Sequence, residues 1–201
     1  KAANKLVREM RHHKRQQVVI HAFPEDAEII MTCWTDAAVA NRHDLSSTGA
    51  YILGATTRRI METGGERVSL ISWKSGKLPR QARSSLAAEV QALSEGDQEL
   101  MYTRLQWAEL NGAAGQFDTA DFMTQVQGVP GFLVVDARSV YDAIHKGRTT
   151  AGAALGLKEK YTALELLALL ESIENCHTGV RCVHSEAMLA DGLTKTGGTA
   201  A

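Results

Sequence analysis

Phe132-Leu133-Val134-Val135-Asp136 constrains this chain more than any other stretch. Four apolar residues, two of them β-branched, follow the turn pair Pro130-Gly131 and predict a strand buried on both faces. The run stops on a carboxylate, and Ala137-Arg138-Ser139-Val140-Tyr141 then opens a helix. An ionised aspartate at the end of a buried strand is costly unless a cation or hydrogen bonds compensate it. Two readings of Asp136 stand side by side. It is the N-cap of the following helix, or it is a metal ligand at the C-terminal end of a central strand. Other carboxylates converging on it would decide between them.

The remaining elements follow from periodicity and turn signals. Ile29 to Asp36 reads as a first strand, with a second aspartate at its end. A polar loop, Asn41 to Thr48, leads to a second strand around Ala50-Tyr51-Ile52-Leu53. Thr63-Gly64-Gly65-Glu66 is a turn, and Val68 to Trp73 is a third strand. Connections this short exclude helical crossovers, so the three form an antiparallel meander. Ser84 or Ser85 caps a long helix reaching about Leu110. After the Asp136 strand come a helix ending at Gly147, a Gly/Ala/Thr linker and a helix from about Leu157 to Ile173. A last strand, Val180 to His184, precedes a short closing helix, Met188 to Lys195. The predicted architecture is α/β: a mixed five-stranded sheet, three antiparallel strands then two parallel additions, with helices on both faces. Upstream, residues 1–17 predict a basic helix with a thin apolar stripe, Val18-Val19-Ile20 a short strand, and Pro24-Glu25-Asp26 a turn. Residues 111–130, rich in Gly, Ala and Gln, predict a surface insertion, and residues 197–201 a disordered tail.

On the long helix, Leu86, Val90, Leu93, Leu100 and Trp107 form the stripe that faces the sheet. Glu89 lies at the margin of that stripe, one turn from the N-terminus. It either complements the helix N-terminus or points toward the strand ends. Asp97 also projects near the stripe, about 10 Å further along the helix, where Arg104 or the cations around Lys74 supply a partner. Asp36, Glu89 and Asp136 therefore approach one another, and Asp191 on the closing helix is a fourth candidate. Carboxylates gathered this closely repel, and hard divalent cations compensate them. Two Mg²⁺ ions about 3.5–4 Å apart are a common device for phosphodiester hydrolysis.

The bulk properties narrow the function classes. With 201 residues the chain can bury one sizeable core. Its net charge of -1 leaves nucleic-acid binding to a local basic patch. The candidate patch is Lys74, Lys77, Arg80 and Arg83, four cations with no acid between them, leading into Ser84 and Ser85; it either meets phosphates or is a solvated loop. Three cysteines, Cys33, Cys176 and Cys182, without CxxC spacing predict reduced, buried thiols in an intracellular protein. Val180, Cys182 and His184 share one strand face near Cys176 and His177, but no zinc-ligand spacing is present. No apolar run approaches the roughly 20 residues of a membrane span, so no membrane partner is expected. The absence of an initiator methionine before Lys1 suggests a piece of something longer.

The motifs resemble those of ribonuclease H. Thr35-Asp36-Ala37-Ala38 with Gly49-Ala50-Tyr51 is similar to the family's first hairpin, and Ser84 through Leu93 to its catalytic glutamate helix. Asp136 through Tyr141 resembles the strand-end aspartate segment, and His184-Ser185-Glu186 through Asp191 the segment with the last aspartate. More narrowly, Ser72-Trp73-Lys74-Ser75, Arg83-Ser84-Ser85, Ala88-Glu89 and Leu189 through Lys195 are similar to the ribonuclease H domain of copia-type retrotransposon polyproteins. The likeness covers residues 29–196, with residues 1–28 resembling the connection from an upstream reverse transcriptase.

The resemblance implies that Asp36, Glu89, Asp136 and Asp191 are catalytic and hold two Mg²⁺ ions, for which Mn²⁺ can substitute, with Asp36 and Asp136 shared between them. It implies an RNA–DNA hybrid as substrate, with RNA recognised by its 2′-hydroxyls, and a reverse transcriptase of the same polyprotein as partner. It also places His184 where cellular ribonucleases H carry a mobile histidine that assists product release. The implied location is cytoplasmic, in a virus-like particle, with access to the nucleus. Where the family often has Asn or an acid after the strand-end aspartate, this chain has Ala137. Two other functions compete. One is a catalytically silent scaffold of the same fold, whose signature is a missing carboxylate. The other is an integrase or resolvase, disfavoured because integrases place their glutamate on a late helix.

Overall fold

The structure, a computed structural model, describes residues 12, 15, 17–112, 122–149 and 159–195. The expected N-terminal basic helix, the Gly/Ala/Thr linker and the C-terminal tail fall largely or wholly outside these residues.

Five strands form one sheet: β1 (Ile29–Ala38), β2 (Thr48–Thr57), β3 (Ser69–Lys77), β4 (Gly131–Val135) and β5 (Gly179–Cys182). Their order across the sheet is β3-β2-β1-β4-β5. The first three are antiparallel neighbours, whereas β4 joins β1 in parallel and β5 joins β4 in parallel. This is the mixed α/β arrangement the sequence predicts. The helices are α1 (Ile60–Thr63), α2 (Ser85–Asn111), α3 (Phe122–Gln127), α4 (Arg138–Thr149), α5 (Lys160–Asn175) and α6 (Asp191–Thr194), with a 3₁₀ turn at Ser185–Ala187.

Alternation along the strands builds two cores. Met31 and Cys33 of β1, Leu53 and Ala55 of β2, and Leu133 and Val135 of β4 face one side, where α2, α4 and α5 bring Val90, Leu93, Leu100, Val140, Ile144, Leu166 and Ile173. Trp34 and Val134 face the other side, covered by Met188 and Ala190 together with Ile52, Ile60, Val68 and Val183. The long helices thus lie on one face and short helical turns on the other. The central strands are buried on both faces because the long helices cover one face and the short turns bearing Ile60, Met188 and Ala190 cover the other.

The packing of α2 on β1 sets the site. A Cβ on Gly96 would stand 2.4 Å from Thr35 Cγ2 and 3.1 Å from Cys33 Sγ, so the helix backbone lies directly on the strand. Ser84 caps the helix, its side chain accepting from the Ala87 N–H at 3.2 Å. At the far end Arg104 is fully buried and donates to Val129 O at 2.6 Å, Cys176 O at 2.7 Å and Thr178 Oγ1 at 2.9 Å. One guanidinium thereby ties α2 to the approaches to β4 and β5.

Several local expectations are corrected. Val18-Val19-Ile20 is not a strand: the three are 55%, 55% and 70% exposed and pair with no neighbouring strand, since β3 and β5 form the sheet edges. The turn at Thr63-Gly64-Gly65-Glu66 is the end of α1, closed by Gly64 at φ 70°, whose N–H bonds Ile60 O. β1 runs two residues past Asp36, because the hairpin register continues to Ala38 opposite Thr48. β3 extends to Lys77, placing Lys74 and Lys77 on an edge strand instead of a loop. In the expected surface insertion, residues 113–121 lie outside the described residues, but α3 follows and Val126 and Val129 are buried. α4 continues through Gly147 to Thr149. Asp97 pairs with neither Arg104 nor the Lys74 region. Ser172 Oγ on α5 donates to it at 2.5 Å, and Arg104 reaches it only through its charge.

Candidate metal centre

Three elements deliver one carboxylate each. Asp36 stands near the C-terminal end of β1. Glu89 projects from the first turns of α2, two turns before the Gly96 contact with that strand. Asp136 follows the last residue of β4, the parallel neighbour of β1. One oxygen from each of the three lies within 4.8 Å of the others, and Asp36 and Glu89 are buried. Among the described residues this is the one group of three or more His, Cys, Asp or Glu with ligand atoms so close. Cys176, His177, Cys182 and His184 therefore form no zinc cluster.

The N-cap reading of Asp136 fails. α4 begins at Arg138, its first-turn bonds run from Val140 and Tyr141 to Ala137 O, and the Asp136 side chain takes no hydrogen bond or ion pair among the described residues. Its carboxylate is left to the other two.

Electrostatics report the strain of this gathering. Burial, then the charges of Asp36 and Asp136, push Glu89 up from 4.5 to about 8, against the Ala37 backbone N–H. Asp36 is also raised, first by burial and then by Asp136 and Asp191, with the Thr194 hydroxyl opposing. None of the three carboxylates forms an ion pair with a lysine or arginine among the described residues. Clustered oxygen ligands with excess negative charge suit a hard divalent cation, so the donor set fits Mg²⁺ or Mn²⁺.

The other sequence candidates stand differently. Asp191, at the start of α6, lies outside the converged three and its carboxylate is held by Lys195, although its charge still acts on Asp36. A four-carboxylate cluster is not what the structure brings together. His184 also stays outside, with its side chain 81% exposed and its Nδ1 3.9 Å from Glu186.

The cations of the expected phosphate-binding run have found acids from elsewhere in the chain. Lys74 pairs with Glu95, Lys77 with Asp44 at 2.7 Å, and Arg80 with Glu165, whereas Arg83 forms no ion pair among the described residues. Such half-exposed pairs are worth about 0–1 kcal/mol, so exchange for a phosphate costs little. Ser84 is committed to its cap, and Ser85 is exposed on the first turn of α2.

Sequence reasoning missed Thr194. It is 2% exposed, and its hydroxyl donates to Asp36 Oδ2. The available signal was its position three residues after Asp191, on the same turn of the closing helix.

No protein-family model and no curated protein match the sequence. Among solved structures, the chain is similar to the foamy viral protease–reverse transcriptase in complex with RNA/DNA hybrid, at 11% identity and TM-score 0.49 over 89% of this chain. It is similar to the RNase H domain of prototype foamy virus, at 10% identity and TM-score 0.38 over 79% of this chain and 81% of that one. A type 1 RNase H with the type 2 active-site motif is 16% identical, with TM-score 0.37 over 83% of this chain and 67% of that one. The chain spans 22% of the length of the foamy viral protease–reverse transcriptase.

Proposed function

We propose that this chain is an endoribonuclease that hydrolyses the RNA strand of RNA–DNA hybrids with two Mg²⁺ ions, or Mn²⁺ in their place. The observation that carries the reading is the convergence of Asp36, Glu89 and Asp136 with no lysine or arginine paired to them among the described residues. The motif likeness to copia-type elements supplies the context: a ribonuclease H domain acting with the reverse transcriptase of its polyprotein, in a cytoplasmic particle.

Asp36, Glu89 and Asp136 would hold the cations, with Asp191 joining them once it leaves Lys195. When bound, the ions would activate the attacking water and stabilise the leaving oxygen of the phosphodiester. Glu89, pushed up to about 8 by burial and the neighbouring acids, would give up its proton to serve as a ligand. Arg83, with Lys74, Lys77 and Arg80 after exchange of their carboxylate partners, meets the hybrid's phosphates and sets its register without reading sequence. Ser85 stands beside them on α2. His184, exposed on the segment before Asp191, serves product departure.

The test is a labelled RNA annealed to DNA, incubated with the chain and Mg²⁺ or Mn²⁺ beside single-stranded and duplex RNA. Cleavage confined to the hybrid, dependent on metal and abolished by Asp136→Asn with the circular dichroism spectrum unchanged, is the expected outcome. Retained cleavage in Asp136→Asn removes Asp136 from the site. No cleavage, even with a polymerase segment attached, favours a scaffold that binds without hydrolysis.

A further inference from the structure

α6 is four residues long, far too short to hold its own position, and side chains from three places fasten it. Asn41 Nδ2 donates to Thr194 O at 2.8 Å, while Asn41 Oδ1 accepts from Thr48 at 2.9 Å, joining the helix to the β1–β2 loop. Ser75 Oγ on β3 donates to Leu193 O at 2.6 Å. The third link runs the other way: the Thr194 hydroxyl reaches from α6 to Asp36 Oδ2. That hydroxyl has one proton and two acceptors in range, the Asp36 carboxylate and the Asp191 carbonyl at 3.1 Å. The charged acceptor forms the stronger bond. Asp36 needs it, because Asp136 and Asp191 press on it with like charge and their repulsion favours any rotamer that swings it away.

We propose that Thr194 is the positioning residue of the carboxylate cluster, its buried hydroxyl holding Asp36 in the orientation that a divalent cation shared with Glu89 and Asp136 requires. The inference rests on the metal-centre reading above and adds to it a residue that touches no metal and no substrate. Partners that orient metal ligands typically change metal affinity by roughly 10- to 100-fold when removed. The same hydroxyl couples the segment bearing Asp191 to the Asp36 strand, so one side chain sets the spacing between the converged carboxylates and the fourth acid.

The experiment titrates the full chain with Mn²⁺, following free ion by electron paramagnetic resonance, for wild type, Thr194→Val, Thr194→Ala, Thr194→Ser and Ser75→Ala. Thr194→Val keeps the shape and removes the donor, and should weaken Mn²⁺ binding by roughly 10- to 100-fold. Thr194→Ala should do the same, giving a second measurement should the valine variant fold poorly. Thr194→Ser restores the donor and should return affinity to within about threefold of wild type. Ser75→Ala removes one tether of α6 but leaves the Thr194 donor in place, and should lower affinity less than Thr194→Val does.

Three results overturn the proposal: unchanged affinity in both Thr194→Val and Thr194→Ala, no recovery in Thr194→Ser, or an equal loss in Ser75→Ala. The last would show that Thr194 merely anchors the helix. A wild-type chain that binds no Mn²⁺ overturns the metal-centre reading itself and this proposal with it.

Discussion

Glu89 carries the clearest consequence at the scale of single residues. A carboxyl raised from 4.5 to about 8 in the folded protein binds its proton more tightly there than in the unfolded chain. Between those two values the native state holds more protons, so stability falls as pH rises. The stabilisation is fully present below about pH 4.5 and is lost by about pH 8. The whole interval is worth about 5 kcal/mol at most, at about 1.4 kcal/mol per unit. Urea denaturation of the metal-free chain at pH 5, 6.5 and 8 should show this decline, and Glu89→Gln should flatten it. Asp36 shifts in the same direction and adds to the slope. Divalent cations should reverse the trend, raising the melting temperature more at pH 8 than at pH 6, because they bind the deprotonated carboxylates. A flat profile in the metal-free wild type would mean that the cluster is better solvated than its burial implies.

At the scale of elements, the decisive contact is α2 on β1. Glycine in the middle of a helix costs about 1 kcal/mol relative to alanine, and Gly96 sits near the middle of the 27-residue α2. The close approach to Cys33 and Thr35 accounts for it. Gly96→Ala would gain in helix propensity but force the helix off the strand, and the overpacking should cost about 1–3 kcal/mol net. The loss is measurable as a lower urea midpoint with an unchanged slope. Because Glu89 lies two turns away on the same rigid helix, the same substitution should also weaken Mn²⁺ binding. A gain in stability would show that the helix has room to spare there. The other elements follow simpler rules: β3 tolerates its edge position with lysines and serines, and α6 depends on its tethers.

Across the whole molecule, Arg104 joins the far end of α2 to both parallel strands. Its guanidinium is fully buried, and desolvation holds its pKa below the usual arginine value although Asp97 favours its charge from a distance. Arg104→Met keeps much of the volume but leaves Val129 O, Cys176 O and Thr178 Oγ1 without this donor. Leaving a buried acceptor unsatisfied costs about 1–3 kcal/mol, and equilibrium denaturation should read a loss of at least that order. Arg104→Lys should recover only part of it, since an ammonium cannot span three acceptors set for a planar fork. The effect should extend to the metal centre at the other end of the sheet, because Arg104 fixes where β4, and with it Asp136, enters the core.

The local order of elements was legible from the chain itself. Alternation in Ile29–Asp36, the continuous apolar run of Phe132–Val135 and the serine before the α2 stripe are short-range signals, and the strands and helix formed where they predict. All four carboxylates were named from the chain, and the three that converge, Asp36, Glu89 and Asp136, each stand at the end or margin of an apolar run, where an acid is costly to desolvate unless a partner compensates it. What only the tertiary structure decided are the pairings between distant residues. Asp97 chose Ser172 over Arg104, Lys74 and Arg80 found acids 21 and 85 positions away, and Thr194 took Asp36. Periodicity says which face a side chain leaves from. Which partner waits there depends on how the layers pack, and a linear pattern does not encode that distance.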